Sequence, residues 1–158
     1  ESACSNTTRA VIQGGQKGNG DNIDNVEYIT IDTTGNTTDF GNLSAIRRAP
    51  AGAGSVTRGL SAGGFGGDGG VNIIEFITIA TTGNHSDFGD LTAVSGGGGS
   101  IGTSSKTIAI FTDSVGGNYT NTIDQVTIAS TGDATDFGDT TNSVNGKASL
   151  SSGHGGLG

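Results

Sequence analysis

Residues 26–43 read VEYITIDTTGNTTDFGNL, and the chain returns to this wording twice, as IEFITIATTGNHSDFGDL at 74–91 and IDQVTIASTGDATDFGDT at 123–140. The Asp-Phe-Gly triplets start at Asp39, Asp87 and Asp136, 48 and 49 residues apart. A period near fifty marks a repeat architecture, in which each unit is one supersecondary element that hides its apolar face by stacking on neighbours. Within the quoted stretch the side chains alternate. Glu27, Ile29 and Ile31 fall on one face, and Val26, Tyr28 and Thr30 on the other. Apolar side chains on both faces suit a strand held between two neighbouring sheets. The Thr-Gly-Asn or Thr-Gly-Asp element that follows (34–36, 82–84, 131–133) predicts a tight turn, and a further short strand starts at each Asp-Phe.

Upstream of each copy the pattern also recurs. Residues 2–15, SACSNTTRAVIQGG, read as two short strands around an Asn-Thr-Thr turn, and 51–64 and 101–114 align with them. Residues 141–153 read as a fourth such hairpin, with Asn145-Gly146 as a type I′ turn dipeptide. Between hairpin and anchor lie loops of glycine, asparagine and aspartate at 16–25, 65–72 and 115–122, whose residues supply positive φ angles and local side-chain to backbone bonds. Each unit therefore holds about four strands and no helix, the make-up of one blade of a β-propeller. The expected fold is all-β: three four-stranded antiparallel blades over 2–50, 51–100 and 101–140, plus the opening hairpin of a fourth at 141–158. Phe40, Phe88 and Phe137 are the expected large side chains between blades, each contributing about 1.5 to 3 kcal/mol when buried.

Composition sets bounds on this reading. The 158 residues include 31 glycines, 38 serines and threonines and one proline, with 31% hydrophobic and 5% aromatic residues, so no large two-sided core can be built. The apolar residues nevertheless cluster in short Ile/Val runs, which favours order over disorder. A net charge of −8 repels phosphate backbones and disfavours nucleic acid as a partner. No stretch of eighteen apolar residues is present, so membrane insertion through a helix is not expected. Cys4 is the sole cysteine, which precludes an intrachain disulfide. The chain opens on Glu1 without a charged-then-apolar leader and reads as a segment of a longer propeller.

The pattern resembles the kelch repeat: a Gly-Gly doublet, a polar loop, a Val-Glu-aromatic strand, then an aromatic about a dozen residues later. Gly14-Gly15, Glu27-Tyr28 and Phe40 match it in the first unit, and Gly63-Gly64, Glu75-Phe76 and Phe88 in the second. The third unit departs, with Asp113-Ser114 for the doublet and Gln125 for the strand aromatic, and all three units carry Phe where kelch repeats usually have Trp. YITIDTTGNTTDFGNL is similar to the YITI-x-TTGN-x-x-DFG-x-L repeats of propeller-like segments in structural and tail-fibre-like proteins of marine cyanophages and related large bacteriophages. The resemblance covers essentially the whole chain. Kelch-like propellers close with about six or seven blades, so three units imply either a longer polypeptide or an assembly of copies.

Motifs with possible chemistry read as structural. Asp-Phe-Gly occurs in kinases as a magnesium element, but here it recurs three times without a His-Arg-Asp loop or a strand lysine. Asp39, Asp87 and Asp136 are expected to accept backbone hydrogen bonds at the turn. Residues 64–69, GFGGDG, satisfy G-x-G-x-x-G without a helix pattern after them, so they read as a loop. Asp21, Asp24 and Asp68 are oxygen donors for a weak calcium ion at most. His85 and His154 lie apart and read as solvent-exposed, and Arg47-Arg48 reads as a solvated loop. Five Asn-x-Ser/Thr sequons, beginning at Asn6, Asn36, Asn42, Asn84 and Asn118, are no more than this composition produces by chance.

No nucleophile, acid and base pair, metal set or cofactor motif emerges, and no cofactor is expected. The resemblance implies a non-enzymatic virion structural or fibre module, acting outside the cell on its host. Its loops would contact a host-surface glycan or protein, or another virion subunit, with a homo-oligomer as a further possibility and Tyr119 as a candidate sugar-stacking residue. A self-assembling extracellular fibre or matrix protein is the alternative. A propeller-mouth enzyme of the copper oxidase or sialidase kind needs a Tyr/His copper set or an arginine triad, which two tyrosines, two histidines and scattered arginines do not supply.

Overall fold

A computed structural model describes residues 1–95, 100–112, 120–143, 148, 149 and 151. Among these the fold is all-β, twelve strands in three four-stranded antiparallel sheets. The first sheet holds β1 (Ser2–Ser5), β2 (Arg9–Gln16), β3 (Asn22–Thr30) and β4 (Thr38–Asn42) in chain order. The second holds β5 (Ala51–Gly54), β6 (Arg58–Ala62), β7 (Val71–Thr78) and β8 (Ser86–Ser95). The third holds β9 (Ile101–Ser104), β10 (Ile108–Thr112), β11 (Thr122–Thr127) and β12 (Thr135–Asp139).

Local chemistry explains each turn. Asn6 Oδ1 accepts from the Thr8 and Arg9 amides at 2.9 and 2.8 Å, and the Ser55 and Ser105 hydroxyls take the same place in the next two hairpins. The Asp-Phe-Gly triplet is a β-bulge. Glu27 pairs with Asp39 and Val26 with Gly41, so Phe40 is the extra residue, and Phe88 and Phe137 hold this position in the later sheets. The bulge turns Phe40 and Phe88 into the space between sheets, where each lies 2% exposed and edge-on to the aromatic of the adjacent strand, Tyr28 or Phe76, at 6.0 and 6.1 Å.

The sheets stack through three kinds of bond, repeated at both junctions. The Phe40 carbonyl accepts from Gly83 N–H (2.8 Å) and the Asn42 carbonyl from His85 N–H (2.9 Å), while Asn42 N–H donates to Asn84 Oδ1 (3.0 Å). Phe88 with Gly132 (2.7 Å), Asp90 with Ala134 (2.8 Å) and Asp90 with Asp133 Oδ1 (3.0 Å) do the same between the second and third sheets. The Thr-Gly-Asn turn of one unit therefore seats on the Asp-Phe-Gly bulge of the unit before. That seat requires glycine: Gly41 and Gly89 have φ of 149° and 146°, and a Cβ on either would overlap the next turn's glycine carbonyl. Second, Glu75 Oε1 accepts from Ser44 N–H (2.9 Å) and Asp124 Oδ2 from Thr92 N–H (3.0 Å). Third, the Arg9 and Arg58 guanidiniums lie over Tyr28 and Phe76 and donate across the junction to the carbonyls of Ile79 (3.0 Å) and Ile128 (2.8 Å).

Two apolar clusters fill the junctions. One joins Val11, Val26, Phe40 and Leu43 to Ile77 and Ile79, and the other joins Leu60, Ile74, Phe88 and Leu91 to Val126 and Ile128. The first strands of the sheets meet at the opposite edge from this outer turn, β1 against β5 and β5 against β9. There Ser104 Oγ donates to the Gly54 carbonyl at 2.6 Å.

Two expectations need correction. Phe137 is 58% exposed, because among the described residues no fourth sheet covers the third. Residues 141–143 form no strand, so the fourth hairpin does not open there, and Asn145-Gly146 lies outside the described residues. Instead Ser151 donates to the Ser104 carbonyl as Ser104 does to Gly54, and Ser149 donates to the Gly102 carbonyl at 2.7 Å. The place beside β9 is thus taken by residues 47 further along than their partners in β9, close to the repeat period, and the hairpin expected from 141 was set too early in the chain.

Candidate functional site: a loop cleft beside the first junction

The loops after the glycine pairs are set by the pairs themselves. Gly14 is the single residue set against Asp24 and Asn25 of β3 where the β2–β3 register shifts, with φ of 59°, and Gly63 has φ of 61° at the matching place after β6. Chain emerging from these glycines forms the 17–21 turn, closed by Lys17 N–H on the Asp21 carbonyl (2.8 Å), and the 66–69 turn, closed by Gly66 N–H on the Gly69 carbonyl (2.7 Å). No helix follows 64–69; β7 does, so the G-x-G-x-x-G match is a loop leading into a strand.

The linker between the first two sheets ties these loops together. Arg48 and Phe65 exchange two backbone hydrogen bonds of 3.0 and 2.8 Å, and Asn22 Nδ2 donates to the Phe65 carbonyl at 3.2 Å. The Arg48 guanidinium lies 4.5 Å from the centre of the Phe65 ring. Around this pair opens a cleft of about 690 Å³, lined by Lys17, Asp21, Asp24, Ile46, Arg48 and Phe65 among others. It combines a half-buried stacked cation, an aromatic face, two carboxylates and an ammonium, the mixture of flat apolar surface and directional polar groups that recognises a polar ligand.

Arg47, the other half of the basic pair, is not solvated. It is 1% exposed, and its Nη2 donates to Glu75 Oε2 at 2.6 Å and to Ser61 Oγ at 3.3 Å. Burial pulls its pKa down and the Glu75 carboxylate pushes it back up. His85 is likewise buried rather than exposed. Its pKa is lowered to about 4, first by burial, then by the Arg47 cation, with the Asn42 backbone pulling weakly the other way. The imidazole is therefore neutral at pH 7. A turn residue seated on the preceding sheet is enclosed by that sheet, which one repeat read in isolation does not reveal.

The remaining candidates separate. Asp136 Oδ1 accepts from Gly138 N–H at 2.8 Å as expected, whereas the Asp39 and Asp87 carboxylates face solvent. Asp21 and Asp24 line the cleft, but Asp68 lies in a neighbouring groove with Arg47 and Gly70. Among the described residues no group of three His, Cys, Asp or Glu side chains is placed to hold a metal ion. Tyr119, His154, Asn118 and Asp113-Ser114 lie outside the described residues. The role of Glu75 and Asp124 was missed in the sequence, although an acid at one fixed place in an otherwise apolar strand, Glu27, Glu75 and Asp124, was its visible signal.

A comparison with protein-family profiles finds no match, and a comparison with curated proteins finds no similar sequence.

Proposed function

We propose that the three sheets are blades of a kelch-like β-propeller and that the chain is a non-enzymatic structural module of a virion or fibre, presenting its loops to a host-surface glycan or protein or to another virion subunit. The cleft between the 17–24 and 65–67 loops carries the binding role. It is the place where loops differing between units converge on a rigid support, and its Arg48–Phe65 stack offers a planar face to a sugar ring or a peptide side chain. The blade reading is supported by the inner edge, where Ala3, Gly52, Gly102, Ser149 and neighbouring residues of β1, β5 and β9 surround one cavity of about 250 Å³, as first strands do around an axis. Assignment to a virion rests on the likeness of the repeat wording to cyanophage tail-fibre-like proteins.

A glycan array probed with the purified chain and with Phe65→Ala tests this. The expected result is binding of a defined sugar class without turnover, reduced at least tenfold by Phe65→Ala while thermal unfolding shifts little. Hydrolysis of a bound glycan, or copper retained by the purified chain, would overturn the non-enzymatic reading.

A further inference from the structure

The two junctions inside the molecule are built alike, and its two ends carry the separate halves of a third. Ile31 at the start is 49% exposed, whereas its equivalents Ile79 and Ile128 are 0% and 2% exposed under the preceding sheet. Phe137 at the other end is 58% exposed, against 2% for Phe40 and Phe88 under the following one. The bulge at Gly138 has no turn upon it: a Cβ there meets nothing within 4 Å, whereas one on Gly41 or Gly89 would overlap the seated turn. Gly138 still has φ of 140°, the backbone that Gly41 and Gly89 need for a seated turn.

We infer that the third sheet docks the first sheet of a second copy of this chain, head to tail. By the register of the internal junctions, Gly35 N–H of one copy reaches the Phe137 carbonyl of the other, Thr37 N–H the Asp139 carbonyl, and Asp139 N–H the Asn36 side-chain oxygen. Thr141 N–H reaches the Glu27 carboxylate, as Ser44 and Thr92 reach Glu75 and Asp124. Ile29 and Ile31 cover Phe137 and Ile123. An unrelated partner would have to reproduce a Thr-Gly-Asn turn and an Ile-x-Ile strand in this spacing, and the chain itself already bears them. Two copies supply six sheets, inside the four to eight that close a propeller. The interface is heterologous, so it closes into a ring or propagates as a filament.

The contact is weaker than the internal ones. Ile108 stands where Arg9 and Arg58 donate across the junctions, Gln125 replaces Tyr28 and Phe76, and Thr140 replaces Leu43 and Leu91. On the inner edge β1 of the second copy takes the place beside β9 only as the residues around Ser149 and Ser151 yield it. Association is therefore reversible and concentration-dependent. It is independent of what the loop cleft binds.

Sedimentation equilibrium at about 0.15 M salt, from micromolar to millimolar protein, tests the pairing with Ile31→Asp and Phe137→Asp. Each variant has one spoiled face, and both residues are exposed in the single chain, so unfolding in urea should stay near that of the parent. The parent is expected to self-associate, each variant alone to weaken at least tenfold, and an equimolar mixture to form a heterodimer through the two intact faces. Gly138→Ala, which places a methyl where the partner's turn must sit, is expected to remain monomeric. A parent that stays monomeric throughout, a variant that self-associates like the parent, or a mixture with no heterodimer overturns the proposal.

Discussion

His85 shows how a residue's chemistry is set by the sheet next door. Its unit supplies the turn, the preceding unit supplies the walls, and Arg47 from the linker supplies a nearby positive charge. A histidine whose folded pKa lies at about 4 against 6.5 unfolded contributes stability that is complete above pH 6.5 and lost as pH falls towards 4, worth about 3 kcal/mol at most. His85→Ala should remove that part of the acid destabilisation, since Ala134 fills the equivalent place in the third sheet. Urea unfolding of the two proteins at pH 7, 5 and 4 measures it: the stability difference should shrink as the pH drops, and a constant difference would count against a buried neutral imidazole. The buried Arg47–Glu75 pair belongs to the same junction and has no counterpart in the next, where Asp124 instead accepts two bonds from Thr92 and Ser95 stands in place of the arginine.

At the scale of the element, Asp-Phe-Gly is a bulge that aims one ring outward from its sheet and leaves a glycine bare for the next turn. The same motif then does different work according to its position in the row. Phe88→Ala deletes a ring packed between the second and third sheets and should cost about 3 to 5 kcal/mol. Phe137→Ala deletes a ring in solvent and should change the stability of the single chain by less than about 0.5 kcal/mol. Chemical denaturation of both variants checks this at low protein concentration, where copies are apart. Equal losses would mean that the third sheet is covered. The loops behave otherwise: their glycines fix where the chain leaves the strand, and the side chains of 17–24 and 65–67 are free to differ.

For the whole molecule, stability is a sum over junctions, because each sheet is too thin to hold a core of its own. Cys4 reports on the first junction. Its sulfur accepts from Gln13 Nε2 at 3.0 Å and lies so close to Gly59 of the second sheet that a Cβ there would overlap it. Burial, partly offset by the Gln13 bond, pushes its pKa up to about 12, so the folded thiol stays protonated up to that pH, and its contribution to stability, complete below the unfolded value near 9, fades between those two values as pH rises. Labelling with a thiol-specific disulfide at pH 8 should be at least roughly a thousandfold slower in the native protein than in urea, limited by separation of the first two sheets. Fast native labelling would show that this junction opens on its own.

The repeat wording by itself determined the strands, the turns between them and the number of sheets, since alternation, Asn and Ser turn caps and positive-φ glycines act over a few residues. It also located the loops that meet at the cleft, though not the Arg48–Phe65 stack that shapes it. Only the tertiary structure decided which copies of a repeated residue are buried. Ile31 and Ile79, or Phe88 and Phe137, are locally equivalent and differ solely in whether a neighbouring sheet lies over them. Arg47 and His85 follow the same rule, because burial, and the pKa that follows from it, is a property of contacts made by residues far away along the chain.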